Sequence, residues 1–154
     1  MTFFKELDSS AGDAEVWALN PAAASAWGSF WNAMMSGPSE LTDTDKTAVV
    51  AYLYGLHGCN SAFEASRTSA QLDTGLYPFL AEPDVELDHL GLDDKWLSLL
   101  RYLRKLCLDP HRLVQRDADA VLAAGWSEMT FTEAVDISAM VKYHTMVLFG
   151  HGAS

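Results

Sequence analysis

The sequence has little cysteine, few cations and no long apolar run. It contains 2 cysteines. Cys59 and Cys107 fall in separate predicted helices, so the pattern does not indicate a disulfide framework. No apolar run approaches the ~20 residues that a membrane-spanning helix needs. The first residues also lack the charged start and apolar core of a signal peptide, and we therefore expect a cytoplasmic protein.

The shortage of cations limits the possible partners. Ten Lys and Arg stand against 21 Asp and Glu, which gives a formal net charge of -11. This charge argues against nucleic acid and against an anionic membrane surface as partners. The carboxylates concentrated between residues 81 and 94 are interpreted as a solvated connector, because their spacing matches no calcium loop. Without a nucleotide-binding loop or a zinc spacing, we expect no cofactor and no metal.

Helical signals are present along the chain, and no alternating strand pattern competes with them, so the predicted fold is all-α. Predicted helix starts are Asn20-Pro21, a capping box of Thr42 with Asp45, and a second box of Thr130 with Glu133. The predicted helices run from Pro21 to before Gly37, from Asp43 to His57, from about Asn60 to Arg67, from Lys95 to Cys107 and from Asp117 to Ala124. A last helix follows the box of Thr130 with Glu133 and runs to about Phe149. Apolar side chains near the N-terminus could anchor a terminal segment; they are Phe3, Phe4 and Leu7.

The stretch His57-Gly58-Cys59 joins two of these helices. Gly58 can close the first helix in the left-handed conformation, and Asn60 or Ser61 can cap the next. Cys59 then lies at a helix N-terminus, where the helix dipole favours a thiolate. Cys59, Ala62 and Ser66 share one face of the helix, because they are spaced i, i+3 and i+7. The alternative is that Cys59 is a small buried residue that serves only the core.

This spacing resembles the Cys-x-x-Cys-x-x-x-His signature of the alkylhydroperoxidase D-like (AhpD-like) and carboxymuconolactone decarboxylase family, most closely its peroxidase-related branch. The first cysteine of the signature falls on Cys59, the second on Ala62 and the histidine on Ser66. A further histidine of active members falls on Ser61, and a glutamate of the preceding helix falls near Thr47. The resemblance therefore implies a redox motif in which these positions are lost.

The order of the later segments, including 94–106 and 117–127, also resembles the family, and the likeness covers roughly residues 10 to 152. It implies one AhpD-like helical domain over residues 1–154. The family acts as peroxidases through a disulfide cycle or as lactone decarboxylases. Since Ala62 cannot form that disulfide, the resemblance implies a protein without the standard two-cysteine activity, retained for ligand binding or assembly.

Two enzymatic alternatives remain. A one-cysteine peroxidase would use Cys59 with an external thiol, and His57 next to the turn could act as its base, although His57 could equally cap its own helix. Ser66 could hydrogen-bond a ligand but cannot relay a proton near neutral pH. A decarboxylase-like enzyme of the same fold is the second alternative. Whether the chain is an enzyme thus stays open, and a small-molecule ligand is a possible partner.

Bulky apolar side chains are abundant for a chain of this length, with 5 Trp, 5 Tyr, 7 Phe and 6 Met. These residue types are enriched at interface cores. The resemblance also implies assembly, since the family forms dimers, trimers and larger rings. We therefore predict a homo-oligomer, with Trp27, Trp31, Met34 and Met35 as candidate contacts. The alternative is that all four serve the core of the subunit.

Overall fold

The computed structural model describes residues 13–152, and within that range it contains helices and no strand, which confirms the predicted all-α class. The α-helices are α1 (Asp13–Ala18), α2 (Pro21–Met35), α3 (Asp43–Leu56), α4 (Asn60–Ser69), α5 (Asp94–Leu108), α6 (Gln115–Ala123) and α7 (Glu128–Gly150). Short 3-10 helices occupy Pro78–Leu80, Leu87–His89 and Pro110–Arg112. The proposed anchors Phe3, Phe4 and Leu7 lie outside the described residues.

Helix α3 is the centre of the packing. It contacts α2, α4, α5 and α7, and from Ala48 to Leu56 it is apolar on all sides, as expected for a helix enclosed by others. Its buried side chains are Lys46, Ala48, Val49, Val50, Ala51, Tyr52, Leu53, Tyr54 and Leu56. The facing helices contribute Leu99, Leu100 and Leu103 from α5, and Ile137, Met140 and Val141 from α7. One hydrophobic cluster therefore surrounds α3.

Several predicted helix starts are confirmed by their hydrogen bonds. Asn20 caps α2 by accepting from the Ala23 N–H at 3.1 Å. Thr42 and Asp45 form a reciprocal capping box at the start of α3, with bonds of 3.1 and 2.9 Å. Polar side chains at these positions satisfy amides that have no partner within the helix. They explain why the sequence located the helix boundaries well.

The predicted capping box of Thr130 with Glu133 is wrong. Helix α7 begins earlier, at Glu128, and Ser127 is its N-cap, with Oγ accepting from the Thr130 N–H at 3.2 Å. Thr130 is buried within the helix. Glu133 is instead engaged by the buried ammonium group of Lys46, at 2.6 Å. Glu133 thus forms an ion pair with a distant residue, whereas the local sequence pattern predicted that it would cap the start of α7.

The connector between α4 and α5 is only partly solvated. Its carboxylates are exposed, as predicted, but Leu72, Leu80 and Leu87 are buried in the core. At Gly55 the connector comes so close to α3 that a Cβ atom would lie 2.4 Å from Cγ of Pro83. The connector therefore covers one side of α3.

Helix α1 was not predicted, because its few residues carry no clear period. In the structure Val16 is buried, and Trp17 stacks on Trp27 of α2 with ring centroids 5.7 Å apart. Tertiary contacts of this kind stabilise short helices that would be marginal in isolation. No helix among residues 13–152 is both long enough and apolar enough to cross a membrane.

Candidate functional site

The junction between α3 and α4 positions Cys59. The Gly58 N–H donates to the Gly55 carbonyl at 3.0 Å, and the Cys59 N–H donates to the Tyr54 carbonyl at 3.0 Å. This is a Schellman arrangement, and it requires the left-handed conformation that Gly58 adopts at φ 70°. The predicted role of Gly58 is confirmed, and the same turn directs Cys59 into the core, where its exposed fraction is 0%.

Cys59 is itself the N-cap residue of α4, so the prediction that Asn60 or Ser61 caps this helix is wrong. Asn60 is the first helical residue, and the Phe63 N–H donates to the Cys59 carbonyl at 3.0 Å. Asn60 and Ser61 are exposed. The Schellman turn leaves no room for a longer link, so the helix starts one residue after the turn and runs on to Ser69.

The proposed motif positions divide between the core and a cavity. Cys59 is buried, and Ala62 is half-buried against the core. Thr47 of α3 and Ser66 of α4 are half-buried and line the same cavity. Cys59 and Ala62 are not among the described residues that line it. The structure therefore brings Thr47 and Ser66 together and keeps Cys59 apart from them.

This cavity, the α2–α3–α4 cavity, has a volume of about 390 Å³. Its size is within the usual range for small-molecule sites. It is lined by Trp31, Asn32, Met35, Ser36, Asp43, Thr47, Val50, Ser66, Ser69 and Ala70. Trp31 and Met35, predicted as interface contacts, are half-buried here, so part of α2 serves the cavity. The lining contains no thiol and no imidazole among the described residues.

Most of these lining residues were not singled out in the sequence. Asp43 was interpreted only as the start of a helix, and Asn32 and Ser36 carried no motif. Helical spacing places Thr47 one turn after Asp43, and this was a signal that could have linked them. The α2 contribution had no such signal, because it depends on how α2 packs against α3.

His57 occupies the C-cap position of α3, where its backbone N–H donates to the Leu53 carbonyl at 3.1 Å. Its Nε2 atom is buried and has no hydrogen-bond partner. Burial lowers the pKa of His57, and the positive charge of Lys142 acts in the same direction. Both effects disfavour the imidazolium form, and His57 does not line the α2–α3–α4 cavity.

A second cavity, of about 290 Å³, contains several of the cations of this acidic chain. These cations already have partners. Arg101 pairs with Asp88, and Arg104 donates to the carbonyl groups of Pro83 and Asp84 at 2.8 and 3.0 Å. The side chains thereby attach the acidic connector to α5. Within residues 13–152, no group of three or more His, Cys, Asp or Glu side chains is arranged to hold a metal ion.

No protein-family model matches the sequence, and no curated protein matches it either. Solved structures do resemble the fold. An uncharacterized peroxidase-related protein from Silicibacter sp. TM1040 superposes with a TM-score of 0.78 at 15% identity, over 91% of this chain and 73% of the other. An alkylhydroperoxidase AhpD core, a peroxidase-related protein from Ralstonia eutropha JMP134, gives 0.76 at 15% identity, over 90% and 73%.

These similarities define the class of fold. The chain has the all-α AhpD-like fold of peroxidase-related proteins, as the sequence resemblance implied. At 15% identity the similarity establishes the fold and leaves the activity to be argued from the site.

Proposed function

We propose that this protein is an AhpD-like protein that lacks standard two-cysteine peroxidase activity and binds a small molecule in the α2–α3–α4 cavity. The observation that carries this proposal is the composition of the cavity. Thr47 and Ser66, which the resemblance aligns with a glutamate and a histidine, supply hydroxyl groups there. A hydroxyl group does not titrate near neutral pH, so these two positions offer hydrogen-bonding groups in place of the glutamate and the histidine.

The arrangement of the thiols supports the same proposal. A two-cysteine cycle needs a second thiol within disulfide distance of the first, and Ala62 occupies the aligned position. Cys107 is on α5, where its Sγ lies 3.5 Å from Ser138 Oγ, and burial raises the pKa of Cys107. A raised pKa disfavours the nucleophilic thiolate. Cys59 and Cys107 are not joined by a disulfide.

A peroxide-consumption assay with dithiothreitol as reductant tests this proposal. We expect no steady turnover of an alkyl hydroperoxide above the reductant control. Mass spectrometry of Cys59 after peroxide treatment accompanies the assay, because a sulfenic acid would be the first product of a reactive thiol. Steady turnover that disappears in Cys59→Ser would contradict the proposal and would favour a one-cysteine peroxidase.

We also propose that the protein assembles with copies of itself through α2 and the end of α7. Helix α2 has no fully buried residue although it is mostly apolar. Phe30 of α2 and Tyr143 and Met146 of α7 are exposed, at fractions of 45%, 52% and 64%. Trp27 lies between Phe30 and Tyr143, with its ring centroid 6.1 Å from Phe30 and 5.5 Å from Tyr143, and Met146 follows Tyr143 by one turn of α7. We call these four residues the aromatic surface.

Charge is depleted around the aromatic surface. The segment 16–39 carries no Lys, Arg, Asp or Glu, and Lys142 is the one such residue in 137–150. In an acidic chain, such a region can meet a second copy without strong repulsion. The proposed contact residues therefore differ from those predicted from sequence. Trp31, Met34 and Met35 are half-buried, whereas Phe30, Tyr143 and Met146 are exposed and replace them in the proposal.

A further inference from the structure

Three of the four hydroxyl groups that line the α2–α3–α4 cavity already donate their protons to backbone carbonyl groups. Ser36 Oγ donates to the Asn32 carbonyl at 2.5 Å, and Thr47 Oγ1 donates to the Asp43 carbonyl at 2.8 Å. Ser69 Oγ donates to the carbonyl of residue 66 at 3.3 Å. A hydroxyl group has one proton and two lone pairs, so these three groups present hydrogen-bond acceptors to the cavity. These three hydroxyls favour a ligand that donates, while the Asn32 amide and the Ser66 hydroxyl in the same wall can donate or accept.

The charge of the cavity also favours a ligand that donates hydrogen bonds, in particular a cation. Among the described residues that line it, Asp43 is the ionisable one, and its carboxylate is exposed. Asp43 is also in the first turn of α3, where its charge offsets the positive end of the helix dipole. The Thr42 and Asp45 capping box satisfies the amides of these two residues. An anion would thus be repelled by the Asp43 carboxylate at this helix start.

The remaining wall is apolar. Trp31, Met35, Val50 and Ala70 line it, and together they can cover a short alkyl chain. The face of a tryptophan ring also attracts a cation through its quadrupole. A bare divalent metal ion would not be suited to this wall, since it needs several oxygen ligands and the cavity offers one carboxylate.

We propose that the α2–α3–α4 cavity binds a small organic cation, a protonated primary alkylamine. Its ammonium group has three N–H bonds, which donate to the Asp43 carboxylate and to two of the acceptor hydroxyls of Ser36, Thr47 and Ser69, and its alkyl chain lies along Trp31. This proposal rests on the proposed function, because it names the class of ligand for the same cavity. It adds a sign of charge and a donor pattern that the fold does not specify.

Binding of n-butylammonium to the full chain tests the proposal. Titration followed by amide chemical shifts in 15N-labelled protein reports both the affinity and the residues affected. A ligand with so few heavy atoms is expected to bind with a Kd on the order of millimolar. The shifts should concentrate at residues that line the cavity. Butyrate and 1-butanol have similar chain lengths, and we expect each to bind at least about tenfold more weakly, since they lack the cationic donor.

Two matched variants separate a local contact from general electrostatics. Asp43 and Asp94 are both exposed and both begin a helix, but Asp94 does not line the cavity. We expect Asp43→Asn to weaken n-butylammonium binding by about tenfold, and Asp94→Asn to leave it nearly unchanged. Equal effects of the two substitutions would mean that the amine senses only the net charge of the protein, and the proposal would be wrong.

Comparison with tetramethylammonium tests the donor pattern. This ion carries the same charge but has no N–H group, so we expect it to bind more weakly than n-butylammonium. Binding of tetramethylammonium as tight as that of n-butylammonium would overturn the role of the acceptor hydroxyls. Tighter binding of butyrate or 1-butanol in the same cavity would overturn the cation proposal and leave the proposed function intact. Peroxide turnover that depends on Cys59 would instead overturn the proposed function, whatever the result of the n-butylammonium titration.

Discussion

Lys46 of α3 and Glu133 of α7 form an ion pair in which the ammonium group is completely buried. The Nζ–Oε1 distance is 2.6 Å, and the exposed fractions of the two side chains are 0% and 15%. Lys46 also donates to the Gly37 carbonyl at 2.8 Å, and Ser39 donates to the second oxygen of Glu133. The pair therefore joins α3, α7 and the segment after α2.

We expect Glu133→Gln to lower the free energy of unfolding by about 3 kcal/mol or more, because it leaves the Lys46 charge buried without a counter-charge. Urea denaturation at pH 7 measures the change. Lys105→Met is the matched control, since it breaks the more exposed Lys105–Asp117 pair, and it should cost less than about 1 kcal/mol. The double variant Lys46→Met with Glu133→Gln should recover part of the loss. Equal costs for the buried and the exposed pair would contradict this account.

Glu40 should make stability depend on pH under acidic conditions. Its pKa is lowered to about 2, chiefly by hydrogen bonds from the backbone N–H and the hydroxyl of Ser127, with smaller contributions from Thr130 and Lys95. A lowered pKa means that folding favours the carboxylate. The contribution of Glu40 is therefore complete above its ordinary pKa of 4.5 and is lost as the pH falls toward 2.

The variant Glu40→Gln isolates this contribution from that of the other carboxylates. It should be less stable than the parent protein at pH 6, and the difference should disappear near pH 2, where Glu40 itself becomes neutral. Thermal unfolding at a series of pH values provides the measurement. A difference that is constant across the series would show that the charge of Glu40 does not contribute.

Restoring the two motif positions should restore a disulfide. In Ala62→Cys with Ser66→His, the new thiol lies one helical turn from Cys59, and that separation is compatible with a bridge. After mild oxidation, thiol titration should show the loss of two thiols per chain. Ala65→Cys with Ser66→His is the control, because residue 65 is exposed on another face of α4. Retention of all thiols in the first variant would mean that the alignment of Cys59 and Ala62 with the signature is wrong.

Self-association through the aromatic surface should be sensitive to charge placed within it. Sedimentation equilibrium at micromolar concentration should give a mass well above the 16.9 kDa of one chain. We expect Phe30→Asp with Met146→Asp to reduce that mass, because each substitution would bury a charge at the contact. Leu76→Asp is the control, as Leu76 is 74% exposed and is not part of the aromatic surface. A mass of one chain for the unmodified protein would refute the assembly.

The sequence by itself determined the all-α class and most helix boundaries. Asn20, Thr42 with Asp45, and Gly58 act through bonds within a few residues, so their pattern is sufficient. Tertiary packing determined the ion pairs and the lining of the cavity. The local pattern predicted Glu133 as a capping residue, but Lys46 of another helix pairs with it. Asp43 is part of a cavity because residues of α2 and α4 line the same space. Such contacts join residues far apart in the chain, and local periodicity carries no information about which helices meet.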